Sequence, residues 1–179
     1  MKLELLRLQS AVPHGVGGPG AGTIELIYTK LLLEHKQDAY SYIMINQIGD
    51  DLNEVIIKDG KAIHINVRYP AKENFEQLPD KEQNLIRLEI VHMALLRLAE
   101  HGHKLDVDKL NEIKSHILEM DFDFTFTYKT FINKKTPELS ASVVIKPEVT
   151  TIDKCEMKVV NLTSYKAPPV FELMKADIS

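Results

Sequence analysis

The sequence predicts an α+β domain, a mostly antiparallel β-sheet with two consecutive helices packed on one face, and three observations carry that expectation. Alternating runs come first, two helical patterns follow with no strand between them, and alternating runs return. The pair Asp59-Gly60 sits between two alternating runs, which signals a tight hairpin. Residues 121–131, DFDFTFTYKTF, alternate without a fault.

Taken in order, the apolar run LELLRL at residues 3–8 leads into PHGVGGPGAG at 13–22, which holds five of the chain's eight glycines. The next segment, TIELIYTKLLLEHK at 23–36, fits two periods. As a helix it places Ile24, Ile27, Tyr28 and Leu31 on one stripe; as a strand it alternates Ile24, Leu26 and Tyr28 against Glu25, Ile27 and Thr29. From Tyr40 to Ile48, YSYIMINQI is aromatic and β-branched and stops at Gly49-Asp50-Asp51, so it reads as a strand and turn. In the hairpin EVIIKDGKAIHINVRY, Ile63, Ile65, Val67 and Tyr69 share one face of the second strand, against His64, Asn66 and Arg68.

Past Pro70 the period changes. Pro79 and Asp80 open a helix that runs to about His101, and Gly102 stands where a left-handed cap belongs. Leu85, Leu88, Val91, His92, Leu95, Leu96 and Ala99 form one broad face, and Ile86, Ile90, Met93 and Leu98 fill much of the rest. A helix this apolar all round packs on two sides. The second helix, about Asp106 to Met120, takes Asp106 as its N-cap and turns Val107, Leu110, Ile113, Ile117 and Leu118 inward. The strand at 121–131 follows, with Phe122, Phe124, Phe126 and Tyr128 on one face and Asp121, Asp123, Thr125, Thr127 and Lys129 on the other. Two further alternating runs, ELSASVVIKPEV and TIDKCEMKVVNL, precede Pro168-Pro169. No repeat and no long linker divides residues 1–179, so a single domain is expected.

Composition limits the function classes. A net charge of −4 with both signs interspersed builds no field to gather a polyanion, so no nucleic-acid partner is expected. Glu4 and Arg7 interrupt the start of the chain, and the greasiest segment, Leu85 to Ala99, carries Arg87, Glu89, His92 and Arg97. Neither a secretory signal nor a membrane span is read there, and a cytoplasmic protein is expected. The single cysteine, Cys155, makes no internal disulfide and no thiolate cluster, and its alternation with Met157 and Val159 marks it as a small buried hydrophobe.

Several patterns carry candidate chemistry. Gly15, Gly17 and Gly20 satisfy G-x-G-x-x-G, the turn that cradles a dinucleotide between a strand and a helix. Two features count against it: Asp50, the acid expected for the ribose, comes late, and the chain goes on into a hairpin rather than strand, helix, strand. A flexible surface loop is the expectation. Glu89 and His92 make an E-x-x-H spacing on one helix face, as di-iron bundles use, but such bundles need a second motif, and Glu112 with His116 is one residue too far apart. In RLAEHGH, Arg97 stands where an H-x-x-E-H site needs its first histidine, which leaves His101 and His103 as helix-end cations. No cofactor and no metal site is therefore expected, with a small metal- or nucleotide-dependent enzyme using the 15–20 glycines or Glu89 and His92 as the alternative.

Residues 87–135 contain an E-x-x-H-x-x-L-L helix (Glu89, His92, Leu95, Leu96), a second helix ending I-L-x-x-x-F (Ile117, Leu118, Phe122), an aromatic strand, and lysines at Lys129 and Lys134. In this the segment resembles bacterial immunity proteins of polymorphic toxin systems. The resemblance implies a small cytosolic protein without chemistry of its own, whose partner is a cognate toxin domain. Many such toxins are basic nucleases, and acidic residues steer association with a basic partner. The candidate contacts are Asp50, Asp51 and Glu54 before the hairpin and Asp121 and Asp123 on the aromatic strand.

Overall fold

The computed structural model describes residues 3–11, 15–16, 21–37, 39–70, 72–135, 140–145 and 157–160. The chain divides into two compact units, Met1–Phe122 and Asp123–Ser179.

The first unit begins with strand β1 (Leu5–Ser10), and the ambiguous segment after it is a helix, α1 (Ala21–Glu34). The 3.6-residue stripe won because Ile24, Ile27, Tyr28 and Leu31 bury together at 0–2% exposure, whereas alternation would have left Ile27 on the wet face. Ala21 and Gly22, at the end of the glycine-rich stretch, already belong to its first turn. Strand β2 (Tyr42–Ile48) follows and pairs with β1 in parallel, Leu6 beside Ile43 and Leu8 beside Ile45. Next comes the expected hairpin, β3 (Ile56–Asp59) and β4 (Ala62–Arg68), with Asp59 opposite Ala62 and Gly60 at φ 56° in the turn. β4 lies parallel to β2, so the sheet order is β1-β2-β4-β3.

This corrects the expected fold in one respect: the chain is α+β, but its main sheet is mixed, parallel at its centre and antiparallel only at the β3 edge. Among the described residues three α-helices, not two, accompany it. The physical reason is α1 itself, since a helical crossover between neighbouring strands returns the chain in the same direction.

The two later helices match the sequence pattern closely. A short 3₁₀ turn at Phe75–Gln77 leads to α2 (Asp80–Glu100), with Gly102 at φ 78° beyond it. In α3 (Val107–Glu119) the Asp106 carboxylate caps the helix, accepting from the amides of Asp108 at 2.9 Å and Lys109 at 3.2 Å. α2 is buried on two sides: it lies against β2 and β4, and against α1 and α3. Leu110, Ile113 and Ile117 of α3 turn inward as expected, but Val107 and Leu118 are 43% and 41% exposed. A helix that packs only on other helices needs a narrower stripe than one lying on a sheet.

One sheet face, built from Leu6, Leu8, Ile43, Ile45, Ile63, Ile65 and Val67, is buried to 2% or less. The alternate residues, among them Arg7, Met44, Asn46, His64, Asn66 and Ile57, form the more open face.

At the end of the first unit Asp121 and Phe122 are not strand. Both sit in the left-handed region, at φ 50° and 62°, and their amides bond back to Leu118 and Ile117 carbonyls, closing α3. The second unit holds β5 (Phe126–Ile132), β6 (Ser140–Ile145) and β7 (Met157–Val160), an antiparallel sheet in that order. Thr130 and Ser142 bond through their hydroxyls across β5 and β6 at 2.9 Å. Cys155 lies outside the described residues. Among the described residues no helix is long and apolar enough to cross a membrane.

Candidate functional site

Parallel pairing brings the C-terminal ends of β1, β2 and β4 to one end of the sheet, and the glycine-rich connection starts there. Two side chains grip the peptide unit of Val16. Gln47, fully buried at the end of β2, accepts from the Val16 amide at 2.8 Å and from Ser10 Oγ at 3.0 Å, and donates to the Tyr69 carbonyl at 3.1 Å. Arg87 of α2, 3% exposed, donates from Nε to the Val16 carbonyl at 3.1 Å and stacks over Phe75, 5.1 Å from the ring centroid. Its Nη1 reaches Asn84 Oδ1 at 3.4 Å. Burial pulls the Arg87 guanidinium below its ordinary pKa, and the carboxylates of Asp80 and Glu25 oppose that pull.

Gly15 has a packing reason to be glycine. A Cβ there would lie 1.5 Å from Ser10 Oγ and 2.8 Å from Gln47 Oε1. The loop backbone presses on the strand end, a close approach that only glycine permits. The expectation of a free surface loop thus fails at its start, where Val16 is 1% exposed; residues 17–20 lie outside the described residues. The chain does go on into the hairpin β3–β4, but β1, α1 and β2 make a strand, helix, strand unit around the loop.

A second polar group joins the helices. His92 of α2, 5% exposed, meets Tyr28 of α1 at 2.8 Å through Nδ1 and Asn111 of α3 at 3.1 Å through Nε2. Asn111 presents its carbonyl oxygen, so Nε2 carries the hydrogen and Nδ1 accepts the Tyr28 hydroxyl proton. Burial is the main force lowering the His92 pKa, and Lys114 adds to it. Burial likewise raises the Tyr28 pKa far above its usual value, so both groups stay neutral.

The partners of His92 are thus a phenol and an amide. Both nitrogens are engaged, and Glu89 pairs with Lys114 at 2.7 Å. Glu112 points to Lys109 at 2.7 Å and to His35 at 3.8 Å, on the far side of α3. His103 meets the Tyr40 hydroxyl, and His101 bonds the Arg97 carbonyl at 2.9 Å. No cluster of three or more metal-ligating side chains occurs among the described residues.

The acidic candidates separate into groups. Asp50 and Glu54 converge on Arg68: Asp50 Oδ1 lies 3.7 Å from its Nε, and Glu54 Oε1 accepts its amide at 2.7 Å. Glu54 also pairs with Arg97 at 2.5 Å, and that bond is the main reason its carboxyl titrates below the usual range. Asp51 is exposed beside them, with Leu52, Val55 and Ile57 at 44%, 39% and 56% exposure. Asp121 pairs with Lys81 at 2.6 Å, and Asp123 is exposed at the start of the second unit. Between β3 and the end of α2 a groove of about 460 Å³ is lined by Glu54, Val55, Ile56, Ile65, Asn66, Arg97 and His101.

The residues that sequence reasoning missed are Gln47, Asn84 and Arg87. Arg87 had a visible signal, a cation flanked by Leu85, Ile86 and Leu88 in a largely apolar segment, whereas Gln47 in a strand carries no pattern that separates it from a wet residue. No protein-family model matches the chain, and neither the curated proteins nor the solved structures contain a match.

Two outcomes follow from this geometry. Gly15→Ala destabilises the protein by about 1–3 kcal/mol in urea denaturation, the usual range for overpacking, and Ser10→Gly added to it recovers part of the loss. The folded-state pKa of His92 lies below its ordinary 6.5, so the unfolded chain takes the proton first as pH falls. Stability is full above about pH 6.5 and declines below it, by no more than about 1.4 kcal/mol per pH unit from this one group. His103, also lowered by burial, declines in the same direction, so His92→Gln makes the acid slope shallower without removing it.

Proposed function

We propose that this chain is a non-enzymatic cytoplasmic binding protein that neutralises a cognate toxin domain. The observation that supports it is the surface of residues 50–57, where Asp50, Asp51 and Glu54 alternate with the exposed apolar side chains of Leu52, Val55 and Ile57. Exposed apolar area rimmed by charge is the usual composition of a protein-binding patch. Arg68 and Arg97 offset two of the three acids, which leaves a modest negative excess suited to a basic partner. The groups that an enzyme reading would employ have structural duties: His92 joins three helices, Glu89 holds Lys114, and Gly15 seats the loop. The similarity of residues 87–135 to immunity proteins points the same way.

The test is to look upstream of this gene for a long repeat-bearing chain with a variable C-terminal domain, and to co-express that domain with this protein. Cells that die with the domain alone are expected to survive when this protein is made with it. Continued killing despite soluble co-expression rejects the proposal.

A second reading, binding of a phosphate-bearing ligand at the glycine-rich connection, is favoured by one observation: β1, α1 and β2 form the parallel unit that such loops occupy. Against it, the first glycine of the pattern is consumed by packing on Ser10. Thermal unfolding with NAD, NADP and ATP separates the two. No shift is expected, and saturable stabilisation by any of them favours the second reading.

A further inference from the structure

The four-stranded sheet has two edges, and they are not equivalent. At β1 the Glu25 carboxylate of α1 accepts the Leu8 amide at 2.7 Å, so a side chain already occupies that edge. At β3, among the described residues, no strand lies outside, and β3 pairs with β4 alone. The ladder shows which of its groups face out. The Asn66 amide bonds the Val55 carbonyl at 2.9 Å, and Asp59 stands opposite Ala62 across the two-residue turn. Bonded pairs alternate along an antiparallel ladder, so Val55, Ile57 and Asp59 bond inward, and Ile56 and Lys58 turn their N–H and C=O groups outward. The Lys58 ammonium, which could guard this edge, lies 6.0 Å from the Tyr40 ring centroid.

The groove runs along the same edge. Ile56 and Ile65, opposite each other on the helix side of the sheet, line it, and Arg97 and His101 lie on its α2 side. A strand laid beside β3, about 4.8 Å away, would send alternate side chains into that groove. Asp50 reaches Arg68, whose amide the groove residue Glu54 holds, Asp51 follows it in the chain, and Ile57, opposite His64, faces the other side of the added strand.

We infer that the β3 edge is a docking site for an extended segment of a protein partner, which adds to the sheet as a fifth strand. That segment seats an apolar side chain against Ile56 and Ile65 and a basic one toward Asp50 and Asp51. Backbone pairing supplies the affinity and the groove supplies the selectivity, as in other strand-addition complexes. This rests on the reading of the chain as a partner-binding protein, but its test needs no toxin.

The probe is a phage-displayed library of random dodecapeptides selected on the folded protein. Enriched peptides are expected to combine apolar and basic residues and to shift the backbone amide resonances of residues 54–59, 97 and 101. Lys58→Pro, which removes an outward N–H and no inward bond, is expected to weaken the best peptide at least about tenfold with the melting temperature unchanged. Methylating the alternate backbone nitrogens of that peptide that face β3 should abolish binding without touching the protein. Failure to enrich any peptide, resonance shifts elsewhere, or full affinity of the methylated peptide overturns the inference. Co-expression can still succeed in any of those cases, so loss of the docking site and loss of the toxin-neutralising reading are told apart.

Discussion

The constraint from which the first unit follows is the parallel pairing of β1 with β2. Two neighbouring strands that run the same way need a connection that travels the length of the sheet and back, and a helix is the compact way to make it without leaving peptide groups unpaired. α1 fills that part. Its apolar stripe then covers one sheet face, and α2 and α3 extend the same layer. The opposite face stays comparatively open, and the strand ends collect at one end of the sheet with the loop that α1 requires.

That collection point explains the polar residues in the core. A loop that enters between strand ends brings peptide groups with it, and each must find a partner or lose the hydrogen bonds that water provided. Gln47 and Arg87 meet that need at Val16 from opposite sides. A glutamine has both a donor and an acceptor, and it uses them on the loop, on Ser10 and on Tyr69. The arginine is costly to bury, and its ring contact with Phe75 and the nearby carboxylates of Asp80 and Glu25 offset the loss.

Features set by one residue and its immediate neighbours were legible in the sequence. Asp106 caps α3, Gly60 turns the hairpin, and Gly102 follows α2 because each answers to backbone geometry that no distant contact can override. Features decided between elements were not. Residues 23–34 suit both periods, and only a sheet on one side and helices on the other select the helix. The run from Asp121 to Phe131 alternates throughout, yet its first two residues serve the end of α3 before any strand begins. Of the candidate site, the acids at 50, 51 and 54 were visible as charges, but their engagement with Arg68 and Arg97 needed the third dimension. Glu89 and His92 have the spacing of ligands, but His92 is buried between helices and Glu89 pairs with Lys114 at the surface, and surroundings decide.

The imidazole shared by three helices also has a place in time. Tyr28 leaves the ribosome before His92, and Asn111 after it, so the ring has one partner for as long as α3 is unmade. Until then the part of α2 that faces α3 is wet, although α1 and every strand of the main sheet have already emerged. The nascent sheet can pair early, but its helical layer closes only when Asn111 arrives, and the interval between those events is when the young chain is most open to chaperones and proteases.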